Sequence, residues 1–416
     1  MRNNKNLFLI TYDYPYGTGE PFLEVEIKYL SESFDQIYIL STSQNITLTR
    51  NVPENVKVIK CDRRYHPVKC VLYSLCKFFS IEFLCECFVT RSIDCVPSWI
   101  QLLKGCFRTW CIKKRIDIAV KKNKIDSYNS IAYSYWLAEG AYFIAKNSEK
   151  WALGISRAHG YEVRDYESFF PFRTIINEKL NTIYFISEYT KNEYERIISN
   201  YRKKSCQQAE RMVIHLGVQQ PTVKSKKECK NTSFLLVSVS SIYPLKRLDL
   251  IVDILEKYSG EKTIKWVHFG WGSLGKLVKQ QCENKLNKKK NIEYTFVGQV
   301  SNQEILSFYE NNSVSLFINT SDNEGVPVSI MEAMSFGIPC IARNVGGNAE
   351  IVKDSVTGYL VDKFADASEI AKKLESIVAG NVCFNPEKIK KWIFENYCSE
   401  RNYQFFISHV YESISN

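Results

Sequence analysis

Short apolar runs alternate with longer stretches of helical periodicity along the whole chain. The runs are rich in Val, Ile, Leu and Phe and predict strands, while the segments between them repeat apolar residues every three to four positions. This alternation predicts an α/β protein with parallel sheets. The predicted strands are Leu7–Thr11, Gln36–Leu40, Val56–Ile59, Ser130–Tyr133, Gly154–Ser156, Ile183–Ser187, Phe234–Val239, Lys265–Phe269, Glu293–Val297, Ser313–Ile318 and Pro339–Ala342.

The pattern breaks once, at residues 219–231, which are polar and aperiodic. Such a stretch is typical of a linker. A chain of 416 residues is too long for one core and suits two domains of about 200 residues each. We therefore predict an N-terminal domain over 1–218 and a C-terminal domain over 232–399. The last stretch, 386–414, is again helical and rich in aromatic residues.

The net charge of +10 is concentrated in residues 1–220, which account for +8 of it. Much of this excess lies in residues 99–124, where Lys and Arg alternate with Trp99, Ile100, Leu103, Trp110 and other apolar residues. One interpretation is a basic amphipathic helix on an anionic membrane surface. The other is the solvated face of a core helix. Nucleic acid is not predicted as a partner, because no recognition motif accompanies the charge.

Fourteen cysteines are present, but no Cys-x-x-Cys and no Cys/His cluster with zinc spacing. We predict buried or half-buried thiols and no metal site. No apolar run reaches the 18 residues needed to span a bilayer, and Leu7–Ile10 is too short for a signal peptide. The sequence therefore predicts a cytoplasmic protein.

Residues 314–339 contain the most informative segment of the chain. An apolar run is followed by Glu324-Gly325-Val326-Pro327, and a helix is then predicted from Val328 to about Met334, with Glu332 two turns in. The N–H groups at such a helix start form a site for a phosphate or a polar sugar. Two carboxylates could instead serve a glycoside hydrolase, or lie on a solvated helix face.

Other predicted strands in the second half also end in loops suited to ligand binding. Lys246 and Arg247 lie just before a helix predicted from Leu248, where a cation is locally unfavourable unless an anion is present. Gly270-Trp271-Gly272 and Gly298-Gln299 follow the next two strands, and Gly346-Gly347 precedes a further helix. Parallel sheets bind ligands at the carboxyl ends of their strands, so these loops should meet there.

In the first half, Gly17 and Gly19 lie between the first strand and the first helix, where a backbone could approach a phosphate closely. Glu20 could orient an acceptor, although a glutamate at a helix start is stabilising in any case. Arg157-Ala-His159-Gly160 follows another predicted strand, with Arg164 shortly after it. His159 is either a site residue or a satisfied structural histidine. Ser187-Glu188 and His215 are interpreted as structural.

Taken in order, Glu324-Gly-Val-Pro-Val, Glu332-Ala-Met, Gly337-Ile-Pro and Gly346-Gly resemble the donor-binding segment of retaining glycosyltransferases of family 4, the E-x7-E group. The resemblance implies a GT-B fold: two Rossmann-like, doubly wound parallel-sheet domains facing an interdomain cleft, with the last helix (about 400–416) returning to the first domain. The Gly19-Glu-Pro-Phe-Leu-Glu and Ser156-Arg-Ala-His-Gly segments look like bacterial enzymes of capsule, exopolysaccharide or lipopolysaccharide assembly.

The resemblance also implies roles for single residues. Glu324, Lys246 and His159 would be catalytic, with Lys246 gripping the donor diphosphate. Where many members have an upstream arginine this chain has Ser240 and Ser241, and Arg247 is the candidate replacement. Arg157, Arg164 and Glu20 would lie on the acceptor side. The remaining donor-binding residues would be Glu332, Arg247, Gly325, Val326, Val328, Gly17, Gly19, Gly270, Gly298 and Gln299.

The resemblance implies an enzyme that transfers a sugar with retention from a nucleotide-diphosphate sugar, UDP-sugar favoured, to a hydroxyl of a glycan or lipid-linked acceptor. No Asp-x-Asp metal site lies in a suitable loop, so a metal-independent reaction without a cofactor is expected. The alternatives are a catalytically silent nucleotide-sugar-binding protein and a sugar-nucleotide epimerase or hydrolase of the same fold.

Overall fold

The computed structural model describes residues 6–17, 19–43, 47, 49–61, 67–91, 97–163, 169–201, 208–221 and 233–415. The chain divides into two units, Met1–His215 with Glu400–Asn416, and Leu216–Ser399. The boundary therefore falls three residues before the predicted end of the first domain. Most of the predicted linker, residues 222–231, lies outside the described residues.

The first unit is built on a seven-stranded parallel sheet in the order β3-β2-β1-β4-β5-β6-β7. Its strands are β1 (Asn6–Thr11), β2 (Ile37–Ser41), β3 (Val56–Lys60), β4 (Ser130–Ser134), β5 (Leu153–Ala158), β6 (Thr182–Phe185) and β7 (Glu210–Val213). Its helices are α1 (Leu23–Ser33), α2 (Pro67–Lys77), α3 (Ile81–Thr90), α4 (Trp99–Lys122), α5 (Glu139–Ala145), α6 (Arg173–Lys179), α7 (Glu188–Ser199) and, at the chain's end, α15 (Ser399–Ser415).

Strand β1 explains why helices cover both faces of this sheet. Successive side chains of a strand point to opposite faces, and here both sets are apolar. Phe8 and Ile10 belong to one buried cluster, while Leu7 and Leu9 belong to another. The second cluster includes Phe406, so the last helix packs on the face of the sheet that Leu7 and Leu9 cover.

The second unit has a six-stranded parallel sheet in the order β10-β9-β8-β11-β12-β13. Its strands are β8 (Phe234–Val239), β9 (Ile264–Phe269), β10 (Ile292–Gly298), β11 (Leu316–Asn319), β12 (Cys340–Arg343) and β13 (Gly358–Val361). Its helices are α8 (Leu248–Lys257), α9 (Gly275–Lys285), α10 (Asn302–Asn311), α11 (Val328–Ser335), α12 (Asn348–Ile351), α13 (Ala367–Val378) and α14 (Pro386–Asn396).

Each sheet has one place where the strand order reverses. In the first unit the chain proceeds from β1 to β3 on one side and resumes at β4 on the other side of β1. In the second unit it proceeds from β8 to β10 and resumes at β11 beside β8. In doubly wound folds, ligands bind at the carboxyl ends of the strands at such a switch point. The loops after β1, β4, β8 and β11 are therefore where a site is expected.

The structure decides between the two interpretations of residues 99–124. Leu102, Cys106, Trp110 and Ile116 of α4 are fully buried in the core of the first unit. The helix is therefore a core helix along most of its length, and it cannot offer this apolar side to a membrane. Exposed large apolar side chains remain only near its start, at Trp99, Ile100 and Leu103. Among the described residues, no helix combines the length and hydrophobicity needed to cross a bilayer.

The prediction of buried or half-buried thiols is partly wrong. Within the described ranges, eleven cysteines are free, and most are buried or half-buried. Cys76, Cys85 and Cys383 are instead exposed. The first two lie on α2 and α3, whose outward faces are unusually apolar, as described below.

Candidate active site

The loops that follow β8 and β11 are hydrogen-bonded to each other at the switch point of the second unit. Thr320 Oγ1 donates to the carbonyls of Lys246 and Arg247 at 3.2 and 2.9 Å. The N–H of Asp322 donates to the carbonyl of Leu245 at 2.8 Å. These bonds fix the segment that leads to Glu324 against the segment that ends in Lys246.

Lys246 and Glu324 form an ion pair, with Nζ 2.7 Å from Oε1. Oε1 also accepts hydrogen bonds from Ser321 Oγ at 2.6 Å and Asn319 Nδ2 at 3.3 Å. These three bonds from the described residues all fall on Oε1, so Oε2 can accept a ligand hydroxyl. An ammonium has three donors, so Lys246 can hold Glu324 and a phosphate oxygen together.

Helix α11 begins directly beyond this pair. Pro327 is its N-cap residue, and no side chain caps the first turn. Gly325 and Val326 lead into it, and Val328 is its first residue. The backbone N–H groups of an uncapped helix start attract anions through hydrogen bonding and the helix dipole. The prediction of a helix that starts at Val328 is confirmed.

Glu332 lies further along α11 and contacts a different loop. Its Oε1 accepts a hydrogen bond from Asn302 Nδ2 at 2.6 Å, and Asn302 is the first residue of α10, just after the β10 loop. Burial raises the pKa of Glu332 to about 7, although the bond from Asn302 opposes the shift. The two glutamates thus reach the β8 loop and the β10 loop respectively, so an extended ligand could contact both.

Two glycines allow the backbone after β12 to pass under Glu324. A Cβ on Gly346, whose φ is +54°, would lie 1.7 Å from the carbonyl oxygen of Glu324. A Cβ on Gly347 would lie 2.1 Å from the carbonyl oxygen of Gly325. No side chain fits at either position without displacing the Glu324-Gly325 backbone. The Gly346-Gly347 pair therefore supports the position of Glu324.

Similar packing joins the loops after β8, β9 and β10. A Cβ on Gly270 would lie 2.0 Å from the carbonyl oxygen of Ser240, and the N–H of Gly270 donates to the carbonyl of Gly298 at 2.8 Å. Gly298 has a φ of +91° with open space where a Cβ would be. Gln299 is exposed. Donor contacts by Gly270, Gly298 and Gln299 stay predictions.

Arg247 is beside Lys246 but its guanidinium is directed at two carboxylates. It pairs with Asp249 at 3.0 Å and with Asp322 at 3.3 Å. Its backbone is left-handed, with a φ of 48°. Arg247 would have to leave these partners to reach a phosphate, and its role as a second cation stays a prediction.

In the first unit, Glu20 organises the loop after β1. Its carboxylate accepts hydrogen bonds from the N–H groups of Tyr12, Asp13 and Tyr14, at 2.9, 2.7 and 2.5 Å, and from Trp136 Nε1 at 2.5 Å. Four donors occupy this buried carboxylate, so the predicted acceptor-orienting role of Glu20 is corrected to a structural one.

The two glycines of the same loop have different environments. Gly17 has a φ of 65°, and a Cβ on Gly19 would lie 2.5 Å from Asp13 Oδ2. The loop is therefore folded tightly on itself, with Gly19 packed against Asp13. Donor contacts by Gly17 and Gly19 stay predictions.

Arg157 also differs from its predicted acceptor-side role. Its side chain is 0% exposed and pairs with Glu26 at 2.5 Å, and its guanidinium lies 4.5 Å from the ring centroid of Phe406. It faces the covered side of the sheet and cannot reach an acceptor in this structure. Arg164 lies outside the described residues. Ser187 caps α7 by accepting from the N–H of Thr190 at 3.1 Å, and His215 Nδ1 lies 2.9 Å from the carbonyl of Ile186, as expected of structural residues.

His159 follows β5 and is 9% exposed. Its ring lies 4.6 Å from the ring of Trp136, 4.7 Å from that of Tyr135 and 5.4 Å from that of Phe22, measured between centroids. Neither ring nitrogen has a hydrogen-bond partner among the described residues, and the Glu162 carboxylate is 3.7 Å from Nδ1. The ring is not satisfied by hydrogen bonds as a structural histidine would be, but both nitrogens are buried, so contact between His159 and a ligand stays a prediction.

The sequence analysis missed a polar cluster at the switch point of the first unit. Glu139 accepts from Tyr12 Oη at 2.5 Å and pairs with Arg108 Nε at 2.5 Å, while Arg108 also donates to Tyr12 Oη at 3.0 Å. Burial, and next the Glu139 charge, raise the pKa of Tyr12. The available signal was a glutamate at the start of the helix that follows β4.

A cavity of about 800 Å³ adjoins this cluster. Tyr12, Arg108 and Arg115 contribute to its lining, together with Ser43 after β2 and Cys70 of α2. This volume is in the usual range for small-molecule sites. The cavity can therefore accept a polar or anionic group beside Arg108. Within the described residues, no group of three His, Cys, Asp or Glu could hold a metal ion.

Residues 219–396 match the family model described as glycosyl transferases group 1. The match lies within the second unit, Leu216–Ser399, so this unit resembles a group 1 glycosyltransferase domain. Lys246, Glu324 and Glu332 all lie inside the matched segment.

Curated relatives of the chain include bacterial glycosyltransferases. The O-antigen biosynthesis glycosyltransferase WbnH of Escherichia coli is 28% identical over 201 residues, which are 44% of this chain and 53% of the relative. The UDP-Gal:alpha-D-GlcNAc-diphosphoundecaprenol alpha-1,3-galactosyltransferase of Escherichia coli is 30% identical over 137 residues, 32% of this chain and 34% of the relative. The chain thus spans about half the length, or less, of these curated relatives.

Solved structures resemble the whole chain and show its fold. The lipopolysaccharide outer core galactosyltransferase WaaB, in its apo form, has a TM-score of 0.66 at 17% identity and covers 98% of this chain and 99% of its own. Anabaena Alr3699/HepE in complex with UDP-glucose has a TM-score of 0.65 at 12% identity, over 99% of this chain and 100% of its own. The chain therefore has the GT-B fold, which confirms the predicted fold class.

Proposed function

We propose that the chain is a glycosyltransferase that moves a sugar from a nucleotide-diphosphate sugar to a hydroxyl of a glycan or glycolipid acceptor. The observation that carries this proposal is the position of Lys246, Glu324 and the uncapped start of α11 at the switch point of the second unit. A diphosphate needs cations and N–H donors, and a sugar needs a carboxylate for its hydroxyls. This site offers the Lys246 ammonium and the N–H groups of α11 for the diphosphate, and the Glu324 carboxylate for the sugar.

The names of the relatives support a finer version of the proposal. One relative is named for UDP-Gal and a diphosphoundecaprenol-linked acceptor, another for O-antigen biosynthesis, and a structural neighbour was solved with UDP-glucose. We therefore propose a UDP-sugar as donor and a surface polysaccharide, such as a capsule, exopolysaccharide or lipopolysaccharide, as product. We place the reaction in the cytoplasm, as the sequence predicts.

The proposed reaction retains the configuration of the anomeric carbon. The bond between that carbon and the diphosphate oxygen breaks, the acceptor oxygen bonds to the same face, and the acceptor's proton passes to the leaving phosphate. Lys246 and the N–H groups at the start of α11 stabilise the departing charge. Glu324 Oε2 accepts sugar hydroxyls and favours the positive charge that develops on the ring, and Glu332 holds the ribose hydroxyls.

We propose that this reaction needs no metal ion, because the ammonium of Lys246 and the helix dipole provide positive charge at the diphosphate. Turnover of the purified protein should stay unchanged when a chelator is added. A loss of turnover that Mg²⁺ restores would contradict this part of the proposal.

The first experiment is a thermal-shift screen of UDP-, GDP- and ADP-sugars, followed by product analysis with and without a lipid-linked glycan acceptor. A new glycoside that forms only when the acceptor is present supports transfer. A changed or hydrolysed donor without acceptor would instead assign an epimerase or hydrolase. Donor binding without turnover on any acceptor would assign a silent binding protein.

Donor affinity should depend on pH through Glu332. The carboxylate must be ionised to accept ribose hydroxyls, and burial holds its pKa at about 7 in the free protein. Affinity should therefore fall as pH drops below 7, by up to about tenfold per pH unit, and level off above it. Calorimetry from pH 5.5 to 8.5 with an intact nucleotide-sugar measures this. Glu332→Gln should bind more weakly and without the pH dependence, and a wild-type affinity that rises on acidification would contradict the assignment.

His159 should matter to transfer and not to donor binding. His159→Phe keeps an aromatic ring against Trp136 and Phe22 and removes both ring nitrogens, so turnover should fall about 10- to 100-fold. The dissociation constant of the donor, measured by calorimetry, should stay within twofold of the wild-type value. Equal losses in donor binding and turnover would argue against an acceptor-side role.

A further inference from the structure

Helices α2 and α3 and the first turn of α4 expose a group of large apolar side chains, which we call the apolar surface. Its most exposed members are Phe79 (92%), Ile81 (79%), Val68 (68%), Ile100 (64%), Leu84 (63%), Phe88 (60%) and Trp99 (57%). A soluble surface rarely presents so many large apolar side chains on consecutive elements. The apolar surface is therefore expected to have a partner.

The polarity of α2 and α3 is inverted relative to an ordinary surface helix. Ser74 is buried and donates to the carbonyl of Cys70 at 2.9 Å, while Leu72 and Leu75 on the same helix are exposed. On α3, Glu86 is buried and accepts from the N–H of Phe172 at 2.9 Å, while Leu84 faces outward. The polar residues are satisfied on the inside, so the outward apolar face is a property of the fold itself.

Among the described residues of these elements, the exposed charges have one sign. In the described residues 67–91 and 97–108 the basic residues are Lys69, Lys77, Arg91, Lys104 and Arg108, and Lys69, Lys104 and Arg108 are exposed. The acidic residues are Glu82, whose side chain is 10% exposed and paired with Lys77, and Glu86, which is buried. A second copy of the chain would bring cations against cations. A surface of anionic phosphates would complement them.

One contact at the rim suits the boundary between water and lipid. The guanidinium of Arg91 lies 4.1 Å from the ring centroid of Trp99, and the Trp99 ring is more than half exposed. Tryptophan and arginine are favoured at the level of lipid headgroups. Their apolar parts can contact the acyl chains there, while their polar or charged ends stay hydrated.

We propose that α2, α3 and the first turn of α4 dock on a bilayer that contains anionic lipid. Phe79, Ile81 and Leu84 enter the boundary of the acyl chains, and Lys69 and Lys104 contact headgroup phosphates. This docking does not rest on the proposed transferase activity. It would also bring the cavity beside Arg108 close to the headgroups, because Cys70 and Val71 of α2 line that cavity.

The test is co-sedimentation of the full chain with vesicles of phosphatidylcholine alone and of phosphatidylcholine mixed with phosphatidylglycerol. Binding to the mixed vesicles should be about tenfold stronger or more. The double variant Phe79→Ser/Ile81→Ser should lose about 100-fold in partitioning, because two large apolar side chains no longer leave water. Lys69→Gln/Lys104→Gln should lose about tenfold on mixed vesicles and little on neutral ones.

The matched control is Phe364→Ser, which removes an equally exposed phenylalanine (81%) from the second unit and should leave binding unchanged. The substituted positions are exposed, and thermal unfolding by circular dichroism checks that every variant folds. Equal binding to neutral and mixed vesicles, or wild-type binding by Phe79→Ser/Ile81→Ser, would overturn the proposal. So would a concentration-dependent dimer, seen by light scattering and abolished by the same variant, in a protein that binds no vesicles.

Discussion

Lys246→Ala and Glu324→Ala are each expected to lower turnover by about 100-fold or more while the protein stays folded. Lys246 receives charge from the departing diphosphate, and one preorganised donor of this kind commonly accounts for a factor of 100 to 1,000, or about 3–4 kcal/mol. Both side chains sit on loops at the edge of the sheet, so their removal leaves the core of the second unit intact. Steady-state kinetics with the donor identified by screening measures the effect.

The ion pair between Lys246 and Glu324 leads to a further expectation for the variant that lacks both side chains. Because Nζ and Oε1 are 2.7 Å apart, the losses should not add, and Lys246→Ala/Glu324→Ala should lose clearly less than the product of the single losses. Lys372→Ala on α13, a surface lysine in the same unit, is the matched control and should retain wild-type turnover. Near-wild-type turnover by Lys246→Ala would remove this residue from the site.

Gly346→Ala is expected to lower kcat/KM by about 100-fold, although we do not propose that residue 346 contacts a ligand. The added Cβ would lie 1.7 Å from the carbonyl oxygen of Glu324, so the backbone that carries Glu324 must move. A displacement of about 1 Å at a catalytic group can reduce rates about 100-fold. The φ of +54° adds strain of about 1 kcal/mol for any residue with a Cβ.

Gly380→Ala separates these two effects. Gly380 has a φ of +78° and open space at its Cβ position, so alanine there meets the backbone strain without the collision. Gly380→Ala should therefore lower the thermal midpoint by a few degrees and leave kcat/KM unchanged. If Gly346→Ala loses stability like Gly380→Ala but keeps full activity, the supporting role of Gly346 is wrong.

The strands were predictable where both of their faces are buried, as in β1 and β8. The prediction missed β7 and β13, which lie at the outer edges of the two sheets. The residues of β7, Glu210–Val213, are exposed or half-buried. A strand with one neighbour and partial burial leaves no continuous apolar run in the sequence, and only the hydrogen bonds to the adjacent strand define it.

The second unit's site was more predictable than the first unit's. Glu324 and Glu332 come from one motif that fixes their spacing, and Lys246 was predicted from the loop that follows a single apolar strand. Arg108 and Glu139 are 31 positions apart, and no pattern links them before the chain folds. Arg157 and Glu20 show the opposite failure, because a charged residue next to a strand was assumed to face a ligand and instead satisfies buried partners.

The apolar surface was not predicted from the sequence, for a related reason. Residues 99–124 have the composition of a membrane-binding helix, but their apolar side is the core side of α4. Helical periodicity tells which residues share a face and not what covers that face. Only the structure distinguishes Trp110, fully buried, from Phe79 and Ile81, fully or largely exposed.

The most direct test of the central claim is a crystal structure of the protein with a bound nucleoside diphosphate. We expect a diphosphate within hydrogen-bond distance of Lys246 Nζ and of the N–H groups at the start of α11, with the ribose hydroxyls at Glu332. A nucleotide bound elsewhere, or a metal ion in the place of the Lys246 ammonium, would contradict it.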